Sequence, residues 1–341
     1  MYNEDIIIYK GVFYMQSTAL HHIPTGTHAC PPVICTVGTN LKFRRLELMD
    51  REWLAPLLKD ADSLSADGCF GTLYLWGEGY GLQIARLNGR VVLRYAKGKD
   101  MFYGYPVGRG DLRQAIQAMR SDAEKNGWPF RLAGVTEAQQ KKLQTAFPGQ
   151  FQYSEDRNTS DYIYTVTSLA SLAGKKLHAK RNYCNRFVQN YPDWHFEPLT
   201  PAHFAACRKL LNGWEDAHET VVNREQSFEE GAIVKAFDAY GTLALDGGVL
   251  YVGRELVAFT FGERTGGNGF DVRFEKANTD FDGSYAMINR EFSRYLQEKY
   301  PDLQYMNREE DMGLENLRKA KLSYRPEFLL TKYNACWNIE A

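Results

Sequence analysis

The residues best suited to chemistry lie between Tyr305 and Tyr324, in the run YMNREEDMGLENLRKAKLSY. A strand-like start (Leu303, Tyr305) delivers five consecutive polar residues: Asn307, Arg308, Glu309, Glu310 and Asp311. A short basic helix follows, with Leu314, Leu317, Ala320 and Lys321 at helical spacing and Tyr324 at its end. Polar groups at the C-terminal end of a strand, just ahead of a helix, are where α/β proteins usually place reactive side chains. The plainer alternative is a solvated turn with helix ion pairs such as Glu315 with Arg318 or Lys319.

Three other stretches carry charge in a pattern. Asp271, Arg273 and Glu275 alternate with Phe270, Val272 and Phe274, so the polar three share one face of a strand. That face is either wet or lines a groove. Lys175, Lys176, Lys180, Arg181 and Arg186 crowd one helix, with Asn182 and Asn185 among them. Leu177, Cys184, Phe187 and Val188 supply its apolar stripe, which would turn the cations outward. No acidic residue sits at i±4 to offset them, a pattern suited to a polyanion partner as much as to an exposed charged face. Finally, Asp280-Phe-Asp-Gly-Ser-Tyr285 forms a turn ahead of a helix carrying Asn289 and Arg290.

An acyl transfer needs a base for the acceptor and a donor to the oxyanion. Glu263, Glu275, Glu309 and Asp311 are candidate bases, and Arg273, Asn307, Lys321 and Tyr324 candidate donors. Glu275 and Glu309 are the expected acid–base groups, and Arg273 the expected anion contact. Lys180, Arg181, Asn182, Asp271, Asn289, Asn307, Lys321 and Tyr324 are the expected substrate contacts. No Ser-His-Asp pattern, phosphate-binding loop or HExxH is present, and six scattered cysteines without CxxC spacing point to free thiols and no metal site.

Elements must hold these residues in place. At 341 residues two domains are expected. A formal net charge of -1 excludes whole-protein attraction to nucleic acid or anionic membrane, so a polyanion site must be a local patch. No run reaches the ~18 apolar residues of a membrane span, and no signal peptide opens the chain, so a cytoplasmic protein is expected. Residues 1–40 are broken by Pro24, Gly26, Pro31, Pro32 and Gly38 and read as an irregular extension. Residues 41–167 read as a first domain with helix 53–58, strands at 73–76, 82–87, 91–95 and 101–105, a hairpin turn at Asn88-Gly89, helices at 112–126 and 137–147, and closing strands at 151–153 and 162–166. Residues 168–341 repeat the order: the basic helix, a strand at 195–197, helices, a hairpin-rich sheet over 248–275, helix 285–299, strand 303–305, helix 314–322 and strand 328–333.

The run NREED followed by GLENLRKAKLSYRP resembles the C-terminal signature of the phosphatidylglycerol lysyltransferase C-terminal domain family, DUF2156. LAGKKLHAKRNYCNRFVQNY (172–191) with Pro192 and Trp194, the stretch Val257-Ala258-Phe259-Thr260, and Phe274-Glu275-Lys276-Ala277 resemble it too. The resemblance runs from about residue 41 to 333 and is stronger in the C-terminal half. It implies an α+β chain of two tandem GNAT-like domains, each a mixed twisted sheet flanked by helices, with the active groove in the second. Its best-known members move an amino acid from charged tRNA onto a membrane lipid, behind a large membrane domain. Many soluble members have no assigned substrate. The resemblance thus implies an aminoacyl-tRNA or acyl-CoA donor, a lipid, peptide or small-amine acceptor, and tRNA contact through helix 175–186. GNAT enzymes bind CoA pyrophosphate on a glycine-rich turn at a helix N-terminus. Here only Gly283 remains of that turn, and Asp280 and Asp282 stand where phosphate would sit. This weighs against acetyl-CoA, leaving an aminoacyl-tRNA transferase, with a conventional N-acetyltransferase or a non-catalytic binding protein on the same fold as alternatives.

Overall fold

A computed structural model describes residues 41–338 apart from 62, 99 and 218–223; the expected N-terminal extension lies outside these residues, as does His218. The strands are β1 (Arg44–Arg45), β2 (Leu82–Leu87), β3 (Arg90–Lys97), β4 (Asp100–Tyr103), β5 (Val107–Gly108), β6 (Arg131–Thr136), β7 (Phe151–Glu155) and β8 (Asp161–Thr165). They continue with β9 (Trp194–Pro198), β10 (Asp246–Val252), β11 (Glu255–Arg264), β12 (Gly269–Ala277), β13 (Tyr305–Asn307), β14 (Phe328–Leu330) and β15 (Lys332–Trp337). The helices are α1 (Arg51–Asp60), α2 (Phe70–Trp76), α3 (Leu112–Lys125), α4 (Glu137–Ala146), α5 (Val166–Ser171) and α6 (His178–Asn190). After these come α7 (Phe204–Ala217), α8 (Arg224–Asp238), α9 (Tyr240–Leu243), α10 (Ser284–Lys299) and α11 (Glu315–Ser323).

Two mixed sheets result. The first runs β1-β2-β3-β4-β6-β15-β7, with β5 beside β3; the second runs β14-β8-β13-β12-β11-β10-β9. Each half lends its last strand to the other. β15, from the end of the chain, lies between β6 and β7, while β8 lies between β14 and β13. Strand 162–166, expected to close the first domain, therefore sits in the second sheet. One apolar core also spans both halves, with Leu54, Phe70 and Trp76 packed in the same cluster as Phe237, Phe261 and Phe274. The Trp76 and Phe274 rings are 5.9 Å apart.

The stretch expected as a strand at 73–76 is α2. Phe70, Leu73 and Trp76 are buried at i, i+3 and i+6, a helical stripe that a short apolar run does not distinguish from a strand. The Asn88-Gly89 hairpin forms as expected, with φ of 43° and 79° at the two residues. In the second sheet β12 pairs with β13 in parallel only over Gly269–Asp271. From Val272 onward the two strands part, and this opening lies beside the NREED segment.

Candidate active site

After β13 the chain turns sharply, and Glu309 takes a left-handed conformation (φ 56°). That conformation costs a non-glycine residue about 1–2 kcal/mol. Two residues hold it. Asn307 accepts from the Glu309 N–H at 2.6 Å and donates to Asp161 at 2.9 Å and to the Leu64 carbonyl at 2.8 Å. Lys321, from α11, donates to the carbonyls of Arg308, Glu309 and Glu310 at 2.5, 3.1 and 2.6 Å. Burial lowers its ammonium to about 8, against the pull of Glu309 and Glu310. Asn307 and Lys321, expected to meet substrate, thus secure the turn. Asp311, a candidate base, accepts from Tyr162 at 2.5 Å, Arg318 at 2.8 Å and Arg157 at 3.1 Å; burial raises its carboxyl, but these bonds bring it below the ordinary range.

The turn sends neighbouring side chains into different compartments. Glu309 and Glu310 face a narrow cleft between the two halves. Leu73, Trp76, Tyr80 and Tyr95 wall it, and Asp67 and Thr72 complete its floor. Behind the floor stands Lys332, the first residue of β15. Its ammonium is 2.9 Å from Asp161, 3.1 Å from Asp67 and 3.7 Å from Glu310. Burial raises the Glu310 carboxyl to about 8; Lys332 opposes the rise, and Asp161, Glu309 and Asp67 add to it. Burial also raises Asp67. An aromatic wall over a floor of carboxylates suits an ammonium group.

Behind Thr72 lies Arg273. It is fully buried, 2.7 Å from Asp271 and 2.7 Å from Glu263, and it donates to the Thr72 hydroxyl. Burial opposes its charge, yet the two carboxylates hold the guanidinium above its ordinary value. Gly71 donates its N–H to Glu263 at 2.8 Å, and a Cβ at Gly71 would overlap that carboxylate. The face expected to be wet or groove-lining is therefore sealed, since all nine residues of β12 are buried. α2 from the first half covers Asp271 and Arg273, while a β-bulge at Arg273 reverses the alternation and turns Glu275 to the opposite face, toward α10, so the three do not share one face as expected. Arg273 and Asp271 satisfy each other, and Arg273 approaches the cleft only through Thr72.

Glu275 belongs to the other compartment, the opening between β12 and β13. Arg308 bridges to it at 2.8 Å, and Asn289 donates to it at 3.2 Å. The Arg308 guanidinium lies 4.8 Å from the Tyr324 ring centre, and the Lys180 ammonium lies 4.6 Å from it. Together with Tyr285 and Leu317 these groups fill the splay. The N-terminus of α10, where a CoA pyrophosphate would bind in a GNAT enzyme, is covered by α6. Gly283 (φ 90°) is so close to it that a Cβ would lie 2.7 Å from the Tyr183 carbonyl oxygen, and Arg186 pairs with Asp282 at 3.2 Å.

α6 itself is not the free basic face expected. Lys180 is buried under Tyr324, whereas Val188, expected in the apolar stripe, is exposed. Arg181 donates to the Leu172 and Gly174 carbonyls at 2.6 and 3.2 Å, and Asn182 pairs with His178 at 3.3 Å. Lys175 and Lys176 are the exposed cations at its start. The structure thus brings Glu275, Asn289, Tyr324 and Lys180 together, and Glu309 with Asn307 and Lys321. Lys321 stands between the two sets, since it also lines the splay pocket with Glu275 and Tyr324, and Arg181 and Asn182 bond elsewhere. Sequence reasoning missed Asp67, Thr72, Trp76, Tyr80, Tyr95, Asp161, Glu310 and Lys332, which are brought together from both halves. The one hint is a lysine opening the largely apolar and aromatic run KYNACW.

A family model described as phosphatidylglycerol lysyltransferase, C-terminal, matches residues 61–336. The chain belongs to this family. A conserved protein of unknown function from Bacteroides thetaiotaomicron is 38% identical and superposes with a TM-score of 0.82, covering 87% of this chain and all of the other. L-PGS from Bacillus licheniformis shares the fold at 15% identity and a TM-score of 0.58, covering 86% of this chain and 93% of that one. An uncharacterised protein of Mycoplasmoides gallisepticum is 25% identical over 182 residues, 52% of this chain; the match spans only 56% of that relative. The fold is GNAT-like, as the lysyltransferase family resemblance implied. Among the described residues no helix is long and apolar enough to cross a membrane.

Proposed function

We propose that this lysyltransferase-family chain is an aminoacyltransferase that draws an amino acid from charged tRNA and passes it to a lipid, peptide or small amine at the cleft between its two halves. The cleft carries the proposal. Its aromatic walls and acidic floor suit the ammonium that every aminoacyl ester bears, and Glu309 stands in it as an acid–base group. Glu275, with Arg308, Asn289 and Tyr324, supports the adjoining wall. The pair Arg273–Asp271 acts from behind Thr72 as a positioning element.

The splay favours this donor over acyl-CoA. A pantetheine arm would have to displace the Glu275–Arg308 bridge, and a pyrophosphate would meet Asp280, Asp282 and the Tyr183 carbonyl at the start of α10. The tRNA backbone would lie along the start of α6, on Lys175 and Lys176 and on Arg186, its Asp282 partner notwithstanding. Charged tRNA also places the reaction in the cytoplasm. Filter binding of the purified protein to a pool of charged tRNAs, followed by sequencing of what is retained, tests the proposal. Enrichment of particular aminoacyl-tRNAs is expected, with Glu309→Gln keeping the retention and losing the transfer. Equal retention of charged and uncharged tRNA would contradict it.

A further inference from the structure

The two carboxyls that close the cleft floor differ in what lies behind them. Glu309 is fixed by its own turn, through Asn307 and Lys321. Glu310 faces an ion cluster that joins the two halves. Lys332 comes from β15, the strand lent to the first sheet; Asp161 comes from β8, the strand lent to the second; Asp67 comes from the turn Ala66–Gly68. One ammonium thus serves three carboxyls, at 2.9, 3.1 and 3.7 Å, and Glu310 is the farthest. Asp161 also accepts from Asn307 at 2.9 Å and from the Ala66 N–H at 3.1 Å, both on Oδ2, and Lys332 faces its Oδ1, so it is the most tightly held of the three. In dry surroundings the carboxyl held least tightly is the one that exchanges a proton. Asp67 and Glu310 open onto the cleft, and Asp161 does not.

We propose that Glu310 is the proton acceptor of the transfer and that Lys332, with Asp67, is the positioning pair that fixes its charge. The proposal rests on the aminoacyl-transfer function above. The acceptor's nitrogen or oxygen attacks the ester carbonyl carbon of the aminoacyl-tRNA, and its proton passes to Glu310. The tetrahedral adduct then breaks the bond between that carbon and the ribose oxygen. The ribose oxygen takes the proton from Glu310, relayed through the Glu309 carboxyl beside it, and leaves as a hydroxyl, so that both carboxyls return to their starting states. No further reactant is required. A carboxyl raised to about 8 by burial sits near the working pH, where a group serves best as base and then as acid. The charged groups facing Glu310 are Lys332, Asp161 and Asp67, with Glu309 on its own turn and Lys321 from α11.

The test uses the full chain, bulk tRNA charged with a mixture of labelled amino acids, and phosphatidylglycerol vesicles or a mixture of dipeptides and polyamines as acceptor. Glu310→Gln is expected to lower kcat by roughly 100-fold or more, the scale of a general base, with charged-tRNA retention unchanged. Asp67→Asn removes a like charge without removing the lysine, so the acid limb of the pH–rate profile should move to lower pH. The Glu310 carboxyl, followed by 13C NMR of Glu-labelled protein and assigned by its loss in Glu310→Gln, should titrate near 8 and move down in the same variant. Lys332→Arg should leave both where they are. A purely structural role for the cluster would change stability and move neither the limb nor the resonance. Wild-type turnover that survives intact in Glu310→Gln, or an Asp67→Asn protein with limb and resonance unmoved, would overturn this proposal alone. A wild-type protein that transfers nothing from any charged tRNA would overturn the transfer function, and this proposal with it.

Discussion

Arg308 and Glu309 are neighbours in the chain but occupy two unlike compartments. On the Arg308 side the splay of the second sheet is occupied by the protein's own charges, as Arg308 bridges to Glu275 and Asn289 donates to it beneath Tyr324. On the Glu309 side the charges are gathered around open space, with more carboxyls than ammonium groups. A balanced buried pair is architecture, and an unbalanced one facing a cleft can exchange a proton or bind a cation. The comparison separates residue types that look equivalent in sequence. The cleft lies between the halves of the chain, outside the groove of the second half alone.

The largest effect is expected where balance is most complete. Arg273→Met would strand the carboxylates of Asp271 and Glu263 in the interior, and loss of one partner of a buried pair typically costs about 3–5 kcal/mol. Urea unfolding measures it; a cost under about 1 kcal/mol would mean the face is wetter than the structure has it. The plug comes next. Arg308→Met alone should cost about 3 kcal/mol, whereas Arg308→Met with Glu275→Met should regain much of that loss, because no charge is left unpaired. Equal losses for the single and double variants would show that the bridge is not self-contained.

The cleft side should reveal itself by pH. Burial raises Glu310 from 4.5 to about 8, so the folded state holds its proton more tightly than the unfolded chain. Its contribution to stability is therefore full below pH 4.5 and fades as pH rises toward 8. Glu310→Gln should flatten the fall between pH 5.5 and 8 by about 1–2 kcal/mol. Parallel stability curves for wild type and variant would place Glu310 in an ordinary solvated setting. The smallest effect is at the surface: Lys175→Glu with Lys176→Glu should leave stability within about 0.5 kcal/mol. The same variant should weaken tRNA retention and flatten its salt dependence, as expected for lost phosphate contacts. An unchanged salt slope would take the start of α6 out of the tRNA path.

Much of the second half was legible because local pattern and packing agree there. The hairpin β10–β11, the extent of β12 and the strand–turn–helix of NREED all follow from short-range spacing. The setting of those residues was not legible. Alternation put Asp271, Arg273 and Glu275 on one face, but the bulge at Arg273 sends Glu275 to the other, and nothing local says that α2, some 200 residues earlier, seals the face of Asp271 and Arg273. Lys180 sits on a face that composition would turn to solvent, and only the approach of Tyr324 from α11 explains its burial. The cleft floor depends on two exchanged strands, and a pairing between residues 67, 161, 310 and 332 leaves no periodic trace.

The most direct measurement is retention and transfer from a pool of charged tRNAs, run beside a thermal-shift titration with CoA. The account predicts selective retention of particular aminoacyl-tRNAs, loss of transfer in Glu309→Gln without loss of retention, and no rise in Tm at millimolar CoA. Indifference to the aminoacyl group together with a clear CoA-dependent rise in Tm would contradict it, since CoA would then have found room in a splay that the Glu275–Arg308 bridge fills.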